Sequence, residues 1–213
     1  MVNLIFVMML FTLAISESFA QKEDIKTVKI GNQVWMAKNL DVTTFRNGDP
    51  IPEAKTAYEW RTAGTDRRPA WCYYDNNEQN GKKYGKLYNW YAVIDSRGLA
   101  PQGYHIPSEA EWTVLIDFLG ETKAGSKLKS KKGWADKKWG GDNSTGFNGL
   151  PGGCRFSNMD PSFSSIGFTG TWWCYTEGSY SNLCTHFLNE KDYVGSYKYY
   201  SEKDGFSIRC IKD

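Results

Sequence analysis

The sequence predicts an α+β domain in which a well-defined helix packs on a β-rich body. Residues 103–120 carry clear helix signals, whereas most of the remaining chain consists of short aromatic runs separated by glycine, asparagine and aspartate. Aromatic residues make up 15% of the chain, and 21 residues are glycine. This composition is typical of sheets with tight turns rather than of helical bundles. At 213 residues, the chain has the length of one domain with a substantial core.

The first 20 residues are predicted to be a signal peptide. Residues 2–15 are almost wholly apolar, a run shorter than the roughly 20 residues that a membrane span requires. Ser18 and Ala20 supply the small residues that a signal peptidase reads, so we expect cleavage before Gln21. No lysine or arginine precedes the apolar run, and an uncleaved anchor is therefore the alternative.

After cleavage we expect a flexible polar leader at residues 21–27 and a single domain at residues 28–213, with no membrane insertion. The net charge is +2, from 26 Lys and Arg against 24 Asp and Glu. The sequence also lacks basic stripes interleaved with aromatic residues, so nucleic acid is not predicted as a partner. The sequence leaves the oligomeric state open.

The strands of the domain are predicted from short apolar and aromatic runs bounded by turn formers. Val28, Ile30, Val34 and Trp35 around Gly31-Asn32 indicate a first hairpin. Further strands are predicted at residues 39–45, 70–74, 154–156, 171–177, 183–189, 198–201 and 206–212. Residues 53–60 are weakly helical.

An oxygen-rich loop lies at residues 75–81, with the sequence DNNEQNG. Calcium sites use such side chains, but the glycine falls at the wrong place for an EF-hand loop. Ordinary turn chemistry explains the loop, and calcium binding is the alternative.

The helix at residues 108–120 is predicted by its capping residues and by the spacing of its apolar side chains. Ser108 follows Pro107 as an N-cap, and Glu111 completes a Ser-x-x-Glu capping box. Gly120 fits the left-handed position that ends a helix. Four apolar side chains recur at i, i+3, i+4 and i+7 and so share one face: Trp112, Leu115, Ile116 and Leu119.

After this helix, residues 122–128 are expected to form a short second helix. Residues 123–138 also carry seven lysines against one acidic residue, Asp136. A solvated loop face is the usual explanation for such a run, and contact with an anionic surface is the alternative.

No catalytic residue is predicted. His105 and His186 are the two histidines, which are too few for a zinc site and have no serine or cysteine partner at a recognised spacing. We expect His105 to bond the backbone near the start of the helix. Glu111 could act as a general acid, but the capping box already explains it.

Several separated blocks of the sequence, in order, resemble a known family. They are IGNQ at residues 30–33, YGKLYNWYA at 84–92, GYHIPSEAEW at 103–112, GLPGG at 149–153 and GFSIRC at 205–210. Together they resemble the major paralogous domain family named after Fibrobacter succinogenes, which is found in exported bacterial proteins. The resemblance spans residues 28–213 and implies a secreted, periplasmic or cell-surface location rather than a particular activity.

The block GYHIPSEAEW is also similar to a motif of the formylglycine-generating, sulfatase-modifying enzymes, whose fold is a variant of the C-type lectin fold. This similarity implies a C-type-lectin-like domain, with one or two helices packed on small twisted antiparallel sheets and with long loops that carry any function. The sugar-binding tripeptides of calcium-dependent lectins, Glu-Pro-Asn, Gln-Pro-Asp and Trp-Asn-Asp, are missing from the sequence. The closely spaced thiols that hold copper in the oxidase are missing as well. No cofactor and no metal are therefore predicted.

The five cysteines are expected to form disulfides in an exported protein. Two bridges among five cysteines can be drawn in about fifteen ways. If residues 171–177 and 183–189 pair antiparallel, Cys174 and Cys184 fall directly opposite each other, within bridging reach. The family resemblance, which spans residues 28–213 and so includes both cysteines, suggests Cys72–Cys210 as the second bridge. Cys154 is then the odd thiol.

The predicted ligand surface lies around the strand at residues 171–177. Trp172 and Trp173 are neighbours on this strand and must face opposite sides of the sheet, so one of them is expected to meet solvent and to stack on a sugar ring. The alternative is that loops cover both rings. The predicted binding residues are Trp172, Trp173, Tyr175, Glu177, Asn143 and Asn182.

The sequence therefore predicts an exported, non-catalytic binding or adhesion domain that recognises a glycan or a surface protein. Two other hypotheses stay open at this point. One is a redox enzyme of the formylglycine-generating type, and the other is a structural surface protein without a small ligand.

Overall fold

The structure is a computed structural model that describes residues 25–158, 161–176 and 183–213. Within these ranges it is an α+β fold, as predicted. The helices of the described chain are α1 (Ala57–Thr65), α2 (Glu78–Tyr84), α3 (Trp90–Val93), α4 (Glu109–Leu119) and α5 (Ala124–Leu128). The strands are β1 (Thr27–Ile30), β2 (Gln33–Met36), β3 (Trp71–Cys72), β4 (Leu87–Tyr88), β5 (Tyr104–His105), β6 (Gly152–Phe156), β7 (Ser162–Ile166), β8 (Gly170–Tyr175), β9 (Leu183–Leu188), β10 (Gly195–Tyr197) and β11 (Ile211–Lys212).

The strands form three sheets. The first has the order β1-β2-β11-β5, so the last strand of the chain lies between two earlier ones. The second has the order β10-β9-β8-β6-β7, and β3 and β4 form a two-stranded sheet. Pairing is antiparallel as predicted, except that β6 joins β8 in parallel through Gly153 and Gly170. A Cβ on Gly170 would lie 2.4 Å from the Leu150 carbonyl oxygen, so this crowded junction requires glycine.

The predicted hairpin and helix are confirmed. β1 and β2 pair antiparallel around Gly31, which adopts a left-handed φ of 59°. At the start of α4, the Ser108 hydroxyl accepts from the N–H of Glu111, and the Glu111 carboxylate accepts from the N–H of Ser108 at 2.8 Å. The apolar face of α4 is buried through Trp112, Leu115 and Leu119.

The prediction of one or two helices is wrong, because the described chain has five. α1 extends beyond the weakly helical prediction at residues 53–60, and α5 lies within the second helix predicted at residues 122–128. Thr56 and Glu59 form a second capping box that starts α1. In the oxygen-rich loop, the Asn77 side chain caps α2, and the Asn80 side chain donates to the Tyr74 carbonyl. These amides take part in ordinary turn and capping contacts.

Four strand predictions differ from the structure. Of residues 70–74, only Trp71 and Cys72 form a strand, and Tyr74 begins a short 3-10 helix. Residues 39–45 contribute only an isolated bridge between Thr44 and Pro50, and residues 198–201 follow β10 rather than forming a strand. Within residues 206–212, Phe206 and Ser207 form single bridges, residues 208–210 belong to no strand, and β11 begins at Ile211.

β8 lies between two hydrophobic cores. Trp172 and Cys174 project into the helix-side core, which also holds Trp112 of α4. Trp173 projects into the opposite core, where its ring centroid lies 5.2 Å from that of Trp90. Both faces of the strand are therefore covered, and neither tryptophan reaches solvent.

Candidate functional site

An open cleft of about 590 Å³ lies at the outer end of β8 and is called the aromatic cleft here. Its wall is formed by α3 and the turn that follows, by the segment around β5, and by Tyr175. The lining residues are Arg46, Trp90, Val93, Ile94, Asp95, Gly98, Leu99, Ala100, His105, Ile106, Tyr175 and Glu202.

A buried amide fixes the wall of the cleft that α3 forms. The Asn89 side-chain oxygen accepts from the N–H groups of Ala70 and Ala92, and its amide nitrogen donates to the Arg68 carbonyl at 2.8 Å. Asn89 is thereby the N-cap of α3 and holds Trp90 in place. Since Trp90 packs on Trp173, the lining of the cleft rests directly on the opposite core.

Tyr175 enters the cleft because the start of α4 holds the end of β8. The N–H of Tyr175 donates to the Pro107 carbonyl at 3.1 Å, next to the capping box of α4. The Tyr175 side chain is 37% exposed and that of Ile94 is 54% exposed. The cleft therefore presents an aromatic and an aliphatic surface to solvent.

The polar groups of the cleft are held in place by bonds within the protein. The Arg46 guanidinium donates to the carbonyls of Ala100 at 2.7 Å and Tyr104 at 2.9 Å. Asp95 pairs with Arg97, whose hydrogen bond lowers the pKa of that carboxyl. The rim thus offers charges of both signs in fixed positions.

His105 lies between two carboxylates. Its Nδ1 is 2.7 Å from Asp213 Oδ1, and its Nε2 is 2.7 Å from Glu111 Oε1. Burial opposes the positive charge of the ring, but the hydrogen bonds with Asp213 and Glu111 raise the pKa of His105 above its ordinary value. The expectation that His105 bonds the backbone is wrong. Both ring nitrogens therefore have partners, and through them His105 links β5 to Glu111 of α4 and to Asp213.

The structure describes four of the six predicted binding residues. Trp172 and Trp173 are each 0% exposed, so the expectation that one ring meets solvent is wrong. Their indole nitrogens donate to Asn39 Oδ1 and to the Tyr88 carbonyl, each at 2.8 Å. The physical reason is that a hydrophobic core covers each face of β8.

Of the remaining predicted binding residues, Tyr175 lies in the aromatic cleft, whereas Asn143 lines a different cleft. Glu177 and Asn182 lie outside the described residues. Arg46, Ile94 and Glu202 line the cleft but were not predicted from the sequence. The aromatic run at residues 84–94 was the available signal for Trp90 and Ile94, but the residues alone do not show that they line a cleft.

The predicted disulfide between Cys174 and Cys184 is confirmed. The two residues are direct partners in the β8–β9 register, with their Cα atoms 4.9 Å apart. The predicted bridge between Cys72 and Cys210 is wrong. Both thiols are free and buried, and they lie in separate clusters of the core. Cys154 is a free buried thiol as well.

His186 lies beside the disulfide. Its Nδ1 is 3.3 Å from Cys174 Sγ, and its ring stacks on Trp112 with centroids 4.8 Å apart. Burial lowers the pKa of His186 to about 4. In the described chain, Cys174, Cys184 and His186 bring metal-ligating atoms within 4.8 Å of one another. Because the two sulfurs are bonded to each other, they are not available as thiolate ligands in this state.

Comparison with known proteins gives one match. The family model described as the Fibrobacter succinogenes major domain matches residues 28–212. No curated protein and no solved structure matches the chain. Among the helices that the structure describes, none is long and apolar enough to cross a membrane.

Proposed function

The chain belongs to the Fibrobacter succinogenes major domain family, and from this premise we propose that it is an exported, non-catalytic domain that binds glycan through the aromatic cleft. Residues 1–20 serve as its signal peptide and residues 28–213 as its single domain, which is a variant of the C-type-lectin-like fold. In this proposal the domain acts outside the cytoplasm or at the cell surface.

The observation that carries the proposal is an exposed tyrosine ring in a cleft with fixed polar groups. A sugar ring has apolar C–H faces and a periphery of hydroxyl groups. Tyr175 and Ile94 offer apolar surface, while Arg46 supplies a donor and Glu202 an acceptor nearby. A volume of about 590 Å³ lies within the range of about 300–1,000 Å³ that small-ligand sites occupy. Such a cleft accommodates one or two sugar rings.

The redox-enzyme hypothesis has weaker support. Thiol chemistry requires a thiolate, but burial raises the pKa of Cys72 to about 11 and of Cys154 to about 12. Burial likewise raises the pKa of Cys210 to about 12. Cys174 and Cys184 are already joined. A purely structural surface protein is the remaining alternative, and it provides no reason for an open cleft with an exposed aromatic ring.

A glycan array tests the proposal with wild type, Tyr175→Ala and Tyr199→Ala. Tyr199 is 85% exposed and does not line the cleft, so it is a matched control for the loss of a surface aromatic ring. By analogy with aromatic stacking on bases, Tyr175→Ala should weaken binding by about 1–3 kcal/mol. Tyr199→Ala should bind as wild type does. An array without bound glycans, or equal affinities for Tyr175→Ala and wild type, contradicts the proposal.

A further inference from the structure

A second cleft, of about 400 Å³, lies apart from the aromatic cleft and shares no lining residue with it. It is called the basic cleft here. Its lining residues are Lys83, Ser130, Lys131, Lys132, Gly133, Asn143, Asn148 and Leu150. No aspartate or glutamate of the described chain is among them.

Tertiary structure brings the three lysines together from remote segments. Lys83 belongs to α2, whereas Lys131 and Lys132 follow α5. Gly133 allows the loop to turn at a φ of 101°, and a Cβ at this position would lie 3.9 Å from Lys83 Cε. The aliphatic stem of Lys83 therefore passes close to the loop that carries the other two lysines.

The three ammonium groups have no carboxylate partner among the residues that the structure describes. Lys83 Nζ lies 4.7 Å from the ring centroid of Tyr84, which is a cation–π contact. No described ion pair includes Lys83, Lys131 or Lys132. Asp142 interacts electrostatically with Lys131 without forming an ion pair, and its carboxylate accepts from the N–H of Ser144 at 2.8 Å. Positive charge is thus concentrated at this concave surface.

The other lysines of residues 123–138 show that this run is not uniformly solvated, contrary to the sequence-based expectation. Lys123 pairs with Asp192, and Lys127 donates to the Leu119 carbonyl at 2.6 Å. Lys129 is 1% exposed and donates to two backbone carbonyls. Lys131 and Lys132 instead remain directed to a cleft.

Amides complete the lining of the basic cleft. The Asn143 side-chain oxygen accepts from the N–H of Asn148 at 2.7 Å, so the amide nitrogen of Asn143 is the part of this group that can donate to a ligand. Ser130 is buried, and its hydroxyl donates to the Lys132 carbonyl at 2.9 Å. The lining therefore has a rigid backbone and an excess of hydrogen-bond donors.

We infer that the basic cleft binds the oxyanion groups of an acidic polysaccharide, either sulfate esters or carboxylates. Three ammonium groups and an amide donor suit an oxyanion, because lysine acts on such a group as a point charge with several donors. The choice of a polysaccharide rests on the proposed function, whereas the choice of an anion rests on the basic cleft itself.

The test measures binding of dextran sulfate, polygalacturonate and uncharged dextran to the full chain by isothermal titration calorimetry. Lys131→Ala/Lys132→Ala should weaken binding of an acidic polymer about tenfold or more, because charge-assisted hydrogen bonds are lost. Lys137→Ala/Lys138→Ala removes the same charge from exposed positions outside the cleft. This control pair should change affinity less than about twofold.

A second comparison uses residues outside the lysine run. Lys83→Ala should weaken binding of the same polymer, whereas Lys82→Ala should not, since Lys82 pairs with Glu78 and does not line the cleft. All these lysines are exposed, so the melting temperatures of the variants should match that of wild type.

Each outcome decides the inference. Binding of dextran sulfate alone identifies sulfate, and binding of polygalacturonate alone identifies carboxylate; either result with the expected variant pattern supports the basic cleft. Equal losses in the cleft and control pairs indicate general attraction to the lysine run and overturn the inference, as does the absence of acidic-polymer binding. The acidic-polymer test compares only lysine variants, whereas the glycan array compares Tyr175→Ala with Tyr199→Ala. A failure of glycan binding at the aromatic cleft is therefore seen separately.

Discussion

Trp173 and Tyr175 lie on the same face of β8, yet their environments differ completely. Trp173 is 0% exposed and packs on Trp90 within the opposite core, whereas Tyr175 is 37% exposed. Trp90 is also part of the lining of the aromatic cleft, together with Tyr175. One face of one strand thus passes from hydrophobic core to candidate binding surface. Alternation along a strand tells which side chains share a face, but it does not tell how far the covering layer extends.

The largest expected effect is a loss of stability when Trp172 or Trp173 of β8 is truncated. It tests whether these two rings belong to the hydrophobic core. Trp172→Ala and Trp173→Ala should each lower the free energy of unfolding by about 3–5 kcal/mol, because each removes a large ring from a packed interior. Urea denaturation of the variants beside wild type measures this. Losses below about 1 kcal/mol would mean that the rings are not part of the core.

The next effect concerns the strand beside β8, where His186 lies directly opposite Trp172. The pKa of His186 falls to about 4 through burial, with Glu109 opposing this shift and Lys198 adding to it. Since the unfolded chain binds the proton near pH 6.5, the stability associated with neutral His186 is present above pH 6.5. It is lost as the pH falls toward 4, by a total of about 3 kcal/mol.

Urea denaturation of wild type and His186→Gln at several pH values measures this contribution. Between pH 6.5 and 4, the free energy of unfolding of wild type should fall with decreasing pH by about 1.4 kcal/mol per pH unit more than that of His186→Gln. His105 has the opposite sign, because its raised pKa contributes stability below pH 6.5 that is lost at higher pH. His105→Gln is therefore the control. Identical pH profiles for wild type and His186→Gln would contradict the assignment.

A smaller effect is expected from the disulfide that joins β8 and β9. Reduction of Cys174–Cys184, which closes a loop with a sequence separation of 10, should cost about 2–3 kcal/mol in the chain-entropy model. Denaturation with and without dithiothreitol measures the difference. Cys174→Ala/Cys184→Ala is the control and should not respond to reductant. A wild type that is equally stable in both conditions would contradict the prediction.

The smallest effect is expected at the exposed end of β8. Tyr175→Ala should change the free energy of unfolding by no more than about 0.5 kcal/mol, because surface substitutions seldom do more. A small change in stability together with a loss of glycan binding would show that Tyr175 contributes to binding and Trp173 to stability, although both lie on β8. A loss as large as that of Trp173→Ala would extend the core to the end of β8 and remove the distinction.

Local chemistry explains which parts of the fold could be predicted. The capping box of Ser108 and Glu111, the turn at Gly31 and the register of Cys174 with Cys184 each depend on short stretches of chain or on one strand pair. The predicted Cys72–Cys210 bridge was wrong, because a family resemblance does not tell how far apart two residues lie in the fold. The prediction that Trp172 or Trp173 is exposed was wrong, because the side chains that cover β8 come from remote segments of the chain.

The candidate site was harder to predict than the fold for the same reason. Tyr175 was identified as an aromatic on the right strand. The side-chain partners of His105 were not identified from the sequence. Asp213 is more than 100 residues away, and the capping role of Glu111 does not indicate a second contact. Lys83 and Lys131 likewise meet only in three dimensions.

The strand order β1-β2-β11-β5 affects when the first sheet can form during synthesis. β11 is the last strand of the chain, and it bonds to β2 through Trp35 and to β5 through His105 and Tyr104. During synthesis from the N-terminus, the β1–β2 hairpin can form early, but β2 and β5 stay unjoined until residues 211 and 212 have been added. Contacts of such large sequence separation slow folding. The first sheet therefore closes only after residues 211 and 212 have been synthesised, so it is completed later than the β1–β2 hairpin.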